Sequence, residues 1–140
     1  MTSESIFSKK SSLILLLFSI IVLDQLSKYL ASKSSLQFNC NRGIAFGLGQ
    51  DAALISPVVL LVIFWLLAGE KSSTLKLGFL MIFAGGLSNF IDRIFVGCVR
   101  DFIMIGRFPS FNLADLVITL GAAISVWYLL RSQIGTKNES

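Results

Sequence analysis

Four apolar stretches set the terms on which this chain can fold: Ser12 to Ala31, Ala52 to Gly69, Leu75 to Phe95 and Leu113 to Leu130. Each is close to the ~20 residues with which a helix crosses ~30 Å of hydrocarbon. A backbone inside a bilayer must satisfy its own hydrogen bonds, and a helix does so within one segment. With 140 residues, 54% of them hydrophobic and 14% charged, little chain remains for a soluble domain. We read residues 1–140 as a single all-α integral membrane domain of four transmembrane helices.

Lys9 and Lys10 before the first stretch could also mark a cleavable signal peptide. Three further spans follow, however, and Asp24 and Lys28 stand where a small-residue cleavage site would be, so an uncleaved first span is the expectation. Four spans place both termini on one side. Loop charge decides orientation poorly: Lys9, Lys10, Lys71, Lys76, Arg131 and Lys137 on the terminal side oppose Lys33, Arg42, Arg93, Arg100 and Arg107 on the other. The lysine pair directly upstream of the first span favours termini inside. The net charge of +4 suits anionic lipid on either face. Cys40 and Cys98 fall in or beside loops on the same side, so a disulfide is possible there if that side is oxidising.

Against this apolar background, polar residues gather at the ends of spans one and three and the start of span four: Asp24, Asn41, Asp92, Asp101, Asn112 and Asp115. Hairpin topology puts these positions on one face whichever way the protein points. Carboxylates at mid-bilayer cost on the order of 3 kcal/mol each on insertion scales and far less near an interface with water, so they mark a functional site by default.

Structural readings stand beside that one. Asp24 and Lys28, at i and i+4, share a helix face; they are either an ion pair with the lysine reaching to the interface or a pair that supports a site. Asn112 followed by Asp115 has the form of a helix cap with its capping-box partner. Asp92 and Arg93 have the form of an ion pair near a helix end. Asp101, between Val99 and Phe102 with only Arg100 beside it, has no such explanation. Gly85 and Gly86 would let a neighbouring helix come close.

The chain has no histidine, which removes histidine triads and most zinc hydrolase sites. No metal or other cofactor is expected. Ser27 and Lys28 are adjacent helix residues and do not face one another. Carboxylate chemistry remains: two aspartates sharing one proton can divide the tasks of drawing a proton from water and polarising a carbonyl. The competing class is a small proton-coupled transporter, which would place an acid mid-helix inside a pathway. A binding protein for lipidated peptides is a third.

The motifs resemble the lipoprotein signal peptidase (signal peptidase II) family of intramembrane aspartic proteases. They are Asp24-Gln25-Leu26-Ser27-Lys28, Asn41-Arg42-Gly43-Ile44-Ala45-Phe46, Gly85-Gly86-Leu87-Ser88-Asn89-Phe90-Ile91-Asp92-Arg93, Gly97-Cys98-Val99-Arg100-Asp101-Phe102 and Phe111-Asn112-Leu113-Ala114-Asp115, in the family's order. The resemblance implies a catalytic pair of Asp101 and Asp115, supported by Asn89, Asp92, Arg93 and Asn112. Asn41 and Gly43 would lie near the substrate, with Asp24 and Lys28 also supporting. It implies a small extracytoplasmic β-element beside the four helices. The implied partners are diacylglyceryl-modified prolipoproteins and membrane lipid, with no nucleic acid. The peptide bond before the lipidated cysteine would be cut at the outer face of the bacterial cytoplasmic membrane, with the termini cytoplasmic. Ser88 stands where the family usually has Gly, and Arg100 where an apolar residue is common. The loops after Lys28 and Asp101 are short.

Overall fold

A computed structural model describes residues 3–34, 38–43 and 52–137, with side chains from 11 to 34, 38 to 43 and 55 to 134. The Ile44-Ala45-Phe46 end of the second motif lies outside the described residues. The element order is α1 (Ser3–Lys33), β1 (Asn39–Asn41), α2 (Ala52–Gly69), α3 (Ser73–Phe95), β2 (Val99–Asp101) and α4 (Leu113–Lys137).

Among the described residues, three helical stretches are long and apolar enough to cross a membrane: Ser11–Lys33, Ser73–Phe95 and Leu113–Ile134. The 18-residue α2 is also apolar, and its described side chains, Ile55–Gly69, form a shorter stretch. Helix α1 begins at Ser3, ahead of the apolar stretch that starts at Ser12. Adding residues to an existing helix needs no new nucleation, so polar residues can continue it beyond the apolar run.

Helix α3 is central and packs on all three others, most extensively on α4. Small residues permit that contact. A Cβ at Gly85 would stand 2.7 Å from the Ala114 carbonyl oxygen, and one at Gly121 would stand 2.6 Å from the Gly78 carbonyl oxygen. Only a residue without a Cβ lets the backbones meet this closely. Gly86 faces α2, where a Cβ would come 3.1 Å from Leu60 Cδ2.

The distribution of side chains is that of a protein solvated by lipid. Trp65, Trp127, Phe18 and Leu61 are exposed, whereas Asp24, Lys28, Ser88, Asp92, Asp101 and Asn112 are buried. Polar residues therefore form much of the interior, at the end where the two short strands sit.

Those strands pair antiparallel, with Asn39 opposite Asp101, Cys40 opposite Arg100 and Asn41 opposite Val99. Gly97, at φ 87°, turns the chain out of α3 into β2. Beyond β2, Ile103 and Phe111 exchange backbone hydrogen bonds of 2.9 and 3.1 Å, which folds the intervening segment back and returns Asn112 to the neighbourhood of Asp101. A Cys40–Cys98 disulfide ties the two strands together across a separation of 58 residues. Replacing both cysteines with serine is expected to lower the unfolding free energy by about 2–4 kcal/mol, since the cross-link restricts the unfolded chain. Thermal unfolding in detergent checks this: the parent with reductant should match the double variant.

Candidate active site

Four carboxylates meet at the strand end of the bundle, each delivered by a different element. Asp24 comes from α1, Asp92 from the last turn of α3, Asp101 from the end of β2 and Asp115 from the first turn of α4. Two of them are held by charge and two face a groove.

Asp24 and Asp92 form the inner pair. Lys28 Nζ lies 2.6 Å from Asp24 Oδ2 and 3.6 Å from Asp92 Oδ2, with side-chain exposure of 0%. The lysine therefore does not reach to the interface; it turns inward, because two buried carboxylates stabilise its charge more than a distant headgroup layer does. Asp24 Oδ1 accepts from the Ala114 backbone N–H at 2.8 Å and its Oδ2 from Ser88 Oγ at 2.7 Å, which pins the start of α4 to α1 and α3. Ser27 Oγ donates to the Asp24 carbonyl at 2.7 Å, away from Lys28.

Asp92 does not pair with Arg93. Adjacent helix residues point in different directions, and Asp92 instead binds Arg100. The Arg100 backbone N–H (3.0 Å) and Nε (3.2 Å) donate to its Oδ2, and Arg100 Nη2 donates to its Oδ1 at 2.7 Å. Arg93 Nη2 donates to the Gly43 carbonyl at 2.7 Å. Gly43 N–H in turn donates to Asn41 Oδ1 at 3.0 Å, so the segment after β1 is held by Arg93 and Asn41 together.

Asp101 and Asp115 are linked through one asparagine. Asn112 Nδ2 donates to Asp101 Oδ1 at 2.7 Å, and its Oδ1 accepts from the Asp115 backbone N–H at 3.0 Å. Asp115 Oδ2 accepts from the Asn112 backbone N–H at 3.1 Å. This is the reciprocal capping box the spacing suggests, and it also orients a carboxylate of the site. The remaining oxygens are bound as well: Asn41 Nδ2 donates to Asp101 Oδ2 at 3.0 Å, and Asn89 Nδ2 to Asp115 Oδ1 at 2.9 Å. Lys28 Nζ donates to Asn89 Oδ1 at 2.7 Å, so the lysine reaches Asp115 through that amide. Among the described residues, every hydrogen-bond donor to these two side chains is a neutral amide.

Burial pushes the Asp101 carboxyl up to about 6; the Asn41 hydrogen bond works against this, and the nearby Asp115 carboxylate adds to it. Folding thus favours the protonated form of Asp101. Its stabilising contribution is complete below its unfolded value near 3.8 and is lost as pH rises through about 6. Relative to an Asp101→Asn variant, the parent is expected to lose up to about 3 kcal/mol between pH 4 and pH 7. Unfolding curves of both proteins across that range give the difference directly.

Both acids open on a groove of about 520 Å³ between α2 and α4, floored by α3. Val59, Leu60, Ile63, Ile82 and Ile118 make its apolar walls, and Asn41, Asn89 and Arg93 join the acids at its polar end. Such a site can hold an apolar ligand while a polar bond is presented to two carboxyl groups.

Each sequence-derived site residue lies in this network. Gln25, Ser88 and Arg100 also belong to it and were not among the site candidates. Gln25 Nε2 donates to the Ser88 carbonyl (3.0 Å), Ser88 Oγ (3.0 Å) and Asp92 Oδ1 (3.1 Å), and Arg100 Nη2 donates to Gln25 Oε1 at 3.1 Å. The available signal was strand alternation, which puts Arg100 on the face opposite Asp101.

Residues 16–131 match the family model described as Signal peptidase (SPase) II. The chain is 36% identical over 122 residues to the lipoprotein signal peptidase of Streptococcus pneumoniae, with 81% of this chain and 80% of the relative covered. It is 34% identical over 146 residues to that of Aquifex aeolicus, with 86% of each covered. A solved bacterial membrane enzyme, determined by the in meso method at 2.3 Å resolution, superposes with a TM-score of 0.74 and 25% identity over 88% of this chain and 90% of that one.

Proposed function

Because the chain belongs to the signal peptidase II family, a family of membrane aspartic proteases, we propose that it removes the signal peptide from diacylglyceryl-modified prolipoproteins by hydrolysing the bond before the lipidated cysteine. The observation that carries this reading is the placement of Asp101 and Asp115, joined through Asn112, at the polar end of an apolar groove. Acyl chains and the apolar part of a signal peptide fit the groove walls, and the scissile bond then lies against the carboxyl pair.

In the proposed reaction, the ionised acid of the pair takes a proton from water as the water oxygen attacks the carbonyl carbon. The protonated acid donates to the carbonyl oxygen, on which negative charge develops. The C–N bond of the tetrahedral intermediate then breaks, and the nitrogen receives a proton from the pair. The products are a signal-peptide carboxylate and a free amino terminus on the lipidated cysteine, with the pair returned to one proton. Because the acids are coupled, the roles belong to the pair. Arg93 lines the same groove and places a permanent positive charge beside the polar end at which the scissile bond would lie.

All four helices cross the membrane in this reading, with termini cytoplasmic and the strands at the outer face. The Cys40–Cys98 disulfide supports that orientation, since such bonds persist on the oxidising side of a cytoplasmic membrane. The test compares a diacylglyceryl-modified prolipoprotein in liposomes with the same precursor carrying an unmodified cysteine. Cleavage of the modified form alone is expected; equal rates would reject lipid recognition.

A further inference from the structure

We propose that Arg100 is a positioning residue for the aspartate pair, acting through Asp92. It fixes the strand that carries Asp101, and it satisfies Asp92 so that Lys28, paired with Asp24, keeps its hydrogen bond to Asn89, the amide that holds Asp115. The proposal rests on the aspartic-peptidase reading and extends it to a side chain that touches neither acid of the pair.

The first part follows from the hydrogen bonds. Asp92 binds both the backbone N–H and the guanidinium of Arg100, the residue immediately before Asp101. A second partner, Gln25 Oε1, accepts from the same guanidinium, so β2 is tied to α3 and α1 at one point. The planar fork of an arginine can meet all these acceptors at once. Because neighbouring strand residues point to opposite faces, an arginine anchored on one face fixes the direction in which Asp101 leaves the other.

The second part follows from charge. The groups facing one another are Asp24 and Lys28 from α1, Asp92 and Arg93 from α3, Arg100 and Asp101 from β2, and Asp115 from α4. Among the described residues these are four carboxylates and three cations, so this set is neutral when a single carboxyl proton is present. Neutrality therefore coincides with the one-proton state the proposed reaction uses. Without Arg100 the cluster carries one more negative charge and binds its protons more tightly. Asp92, then short of a partner, draws Lys28 from its 3.6 Å separation and away from Asn89. Asn89 is the amide that holds Asp115.

The test uses the full chain in detergent or liposomes with Arg100→Met and Arg100→Lys, following cleavage of a diacylglyceryl-modified prolipoprotein against pH. Arg100→Met is expected to lower kcat by ~10–100-fold, the scale of a small misplacement of reacting groups, and to move the pH profile upward by about half a pH unit or more. KM should stay within about twofold, since the arginine does not line the groove. Arg100→Lys keeps the charge but not the fork, so it should restore the parent's pH profile and only part of kcat. Where the methionine variant does not fold, Arg100→Gln keeps a donor for Asp92 without the charge and should show the same upward shift.

An unchanged kcat and profile in the neutral variant would overturn the proposal. So would a loss of kcat with an unmoved profile, or a lysine variant no better than the neutral one. An infrared titration of the protonated carboxyl band, assigned by its loss in Asp101→Asn, separates this proposal from the functional reading. If the parent does not cleave the substrate, that reading falls. The Arg100 proposal then stands if the band titrates at higher pH in the neutral variant than in the parent, and falls if it does not. If the parent cleaves and the neutral variant behaves like it in both measurements, the Arg100 proposal falls alone.

Discussion

Asp101→Asn and Asp115→Asn are each expected to lower kcat by ~10³–10⁴-fold while the protein remains folded and binds substrate. Neither asparagine can take a proton from water or supply one to a leaving nitrogen, so the loss falls on the chemical step. The structural cost is smaller. At position 101 the new amide would direct its NH2 at one of two donors, Asn112 Nδ2 or Asn41 Nδ2, at a cost of about 1–3 kcal/mol. At position 115 it would face either Asn89 Nδ2 or the Asn112 backbone N–H, which weakens the Asn89 hydrogen bond or the capping box by a similar amount. Single-turnover kinetics with matched amounts of folded protein separate the chemical loss from these packing effects. A purely structural Asp115 would lose its share of stability and keep its rate.

The largest effect on stability is expected at Lys28. Its ammonium group, 0% exposed, lies between Asp24 and Asp92, and Lys28→Met would leave these carboxylates short of a cation in a buried setting. Removing one partner of a buried ion pair costs about 3–5 kcal/mol, a large part of the ~5–15 kcal/mol that holds a typical protein folded. Had the lysine reached outward to the headgroups, the same change would cost under about 1 kcal/mol. Thermal unfolding in detergent therefore distinguishes the two placements. Adding Asp24→Asn to the methionine variant should recover part of the loss, because it removes one uncompensated charge while keeping an acceptor for Ala114 N–H.

The convergence of Asp24, Asn41, Asp92, Asp101, Asn112 and Asp115 on one end of the bundle was legible in the sequence, because hairpin topology leaves no other arrangement. The Asn112–Asp115 cap was legible for a different reason: its two hydrogen bonds lie within four residues of chain. What escaped was non-local. The direction of Lys28 depends on Asn89 and Asp92, more than sixty residues away in sequence. The choice of Arg100 over Arg93 as partner for Asp92 depends on how Gly97 turns the chain and on which face of β2 meets α3. The disulfide required knowing that the segments around Cys40 and Cys98 pair as strands. Pair formation of this kind is set by the assembled helices and has no periodic trace in the chain.

The acids also bear on the transporter alternative. The buried carboxylates Asp24, Asp92 and Asp101 all gather at the strand end of the bundle, beside Asp115, and the groove that Asp101 and Asp115 line is walled by aliphatic side chains. That arrangement suits a bond presented at an interface better than an ion moved through the membrane.

The most direct measurement is the mass of the products formed when the parent protein meets a diacylglyceryl-modified prolipoprotein in liposomes, beside the same incubation with Asp115→Asn. The account predicts two fragments from the parent, one of them beginning with the lipidated cysteine bearing a free amino group, and intact precursor with the variant. No cleavage by the parent, cleavage at another bond, or equal product from the variant would contradict it.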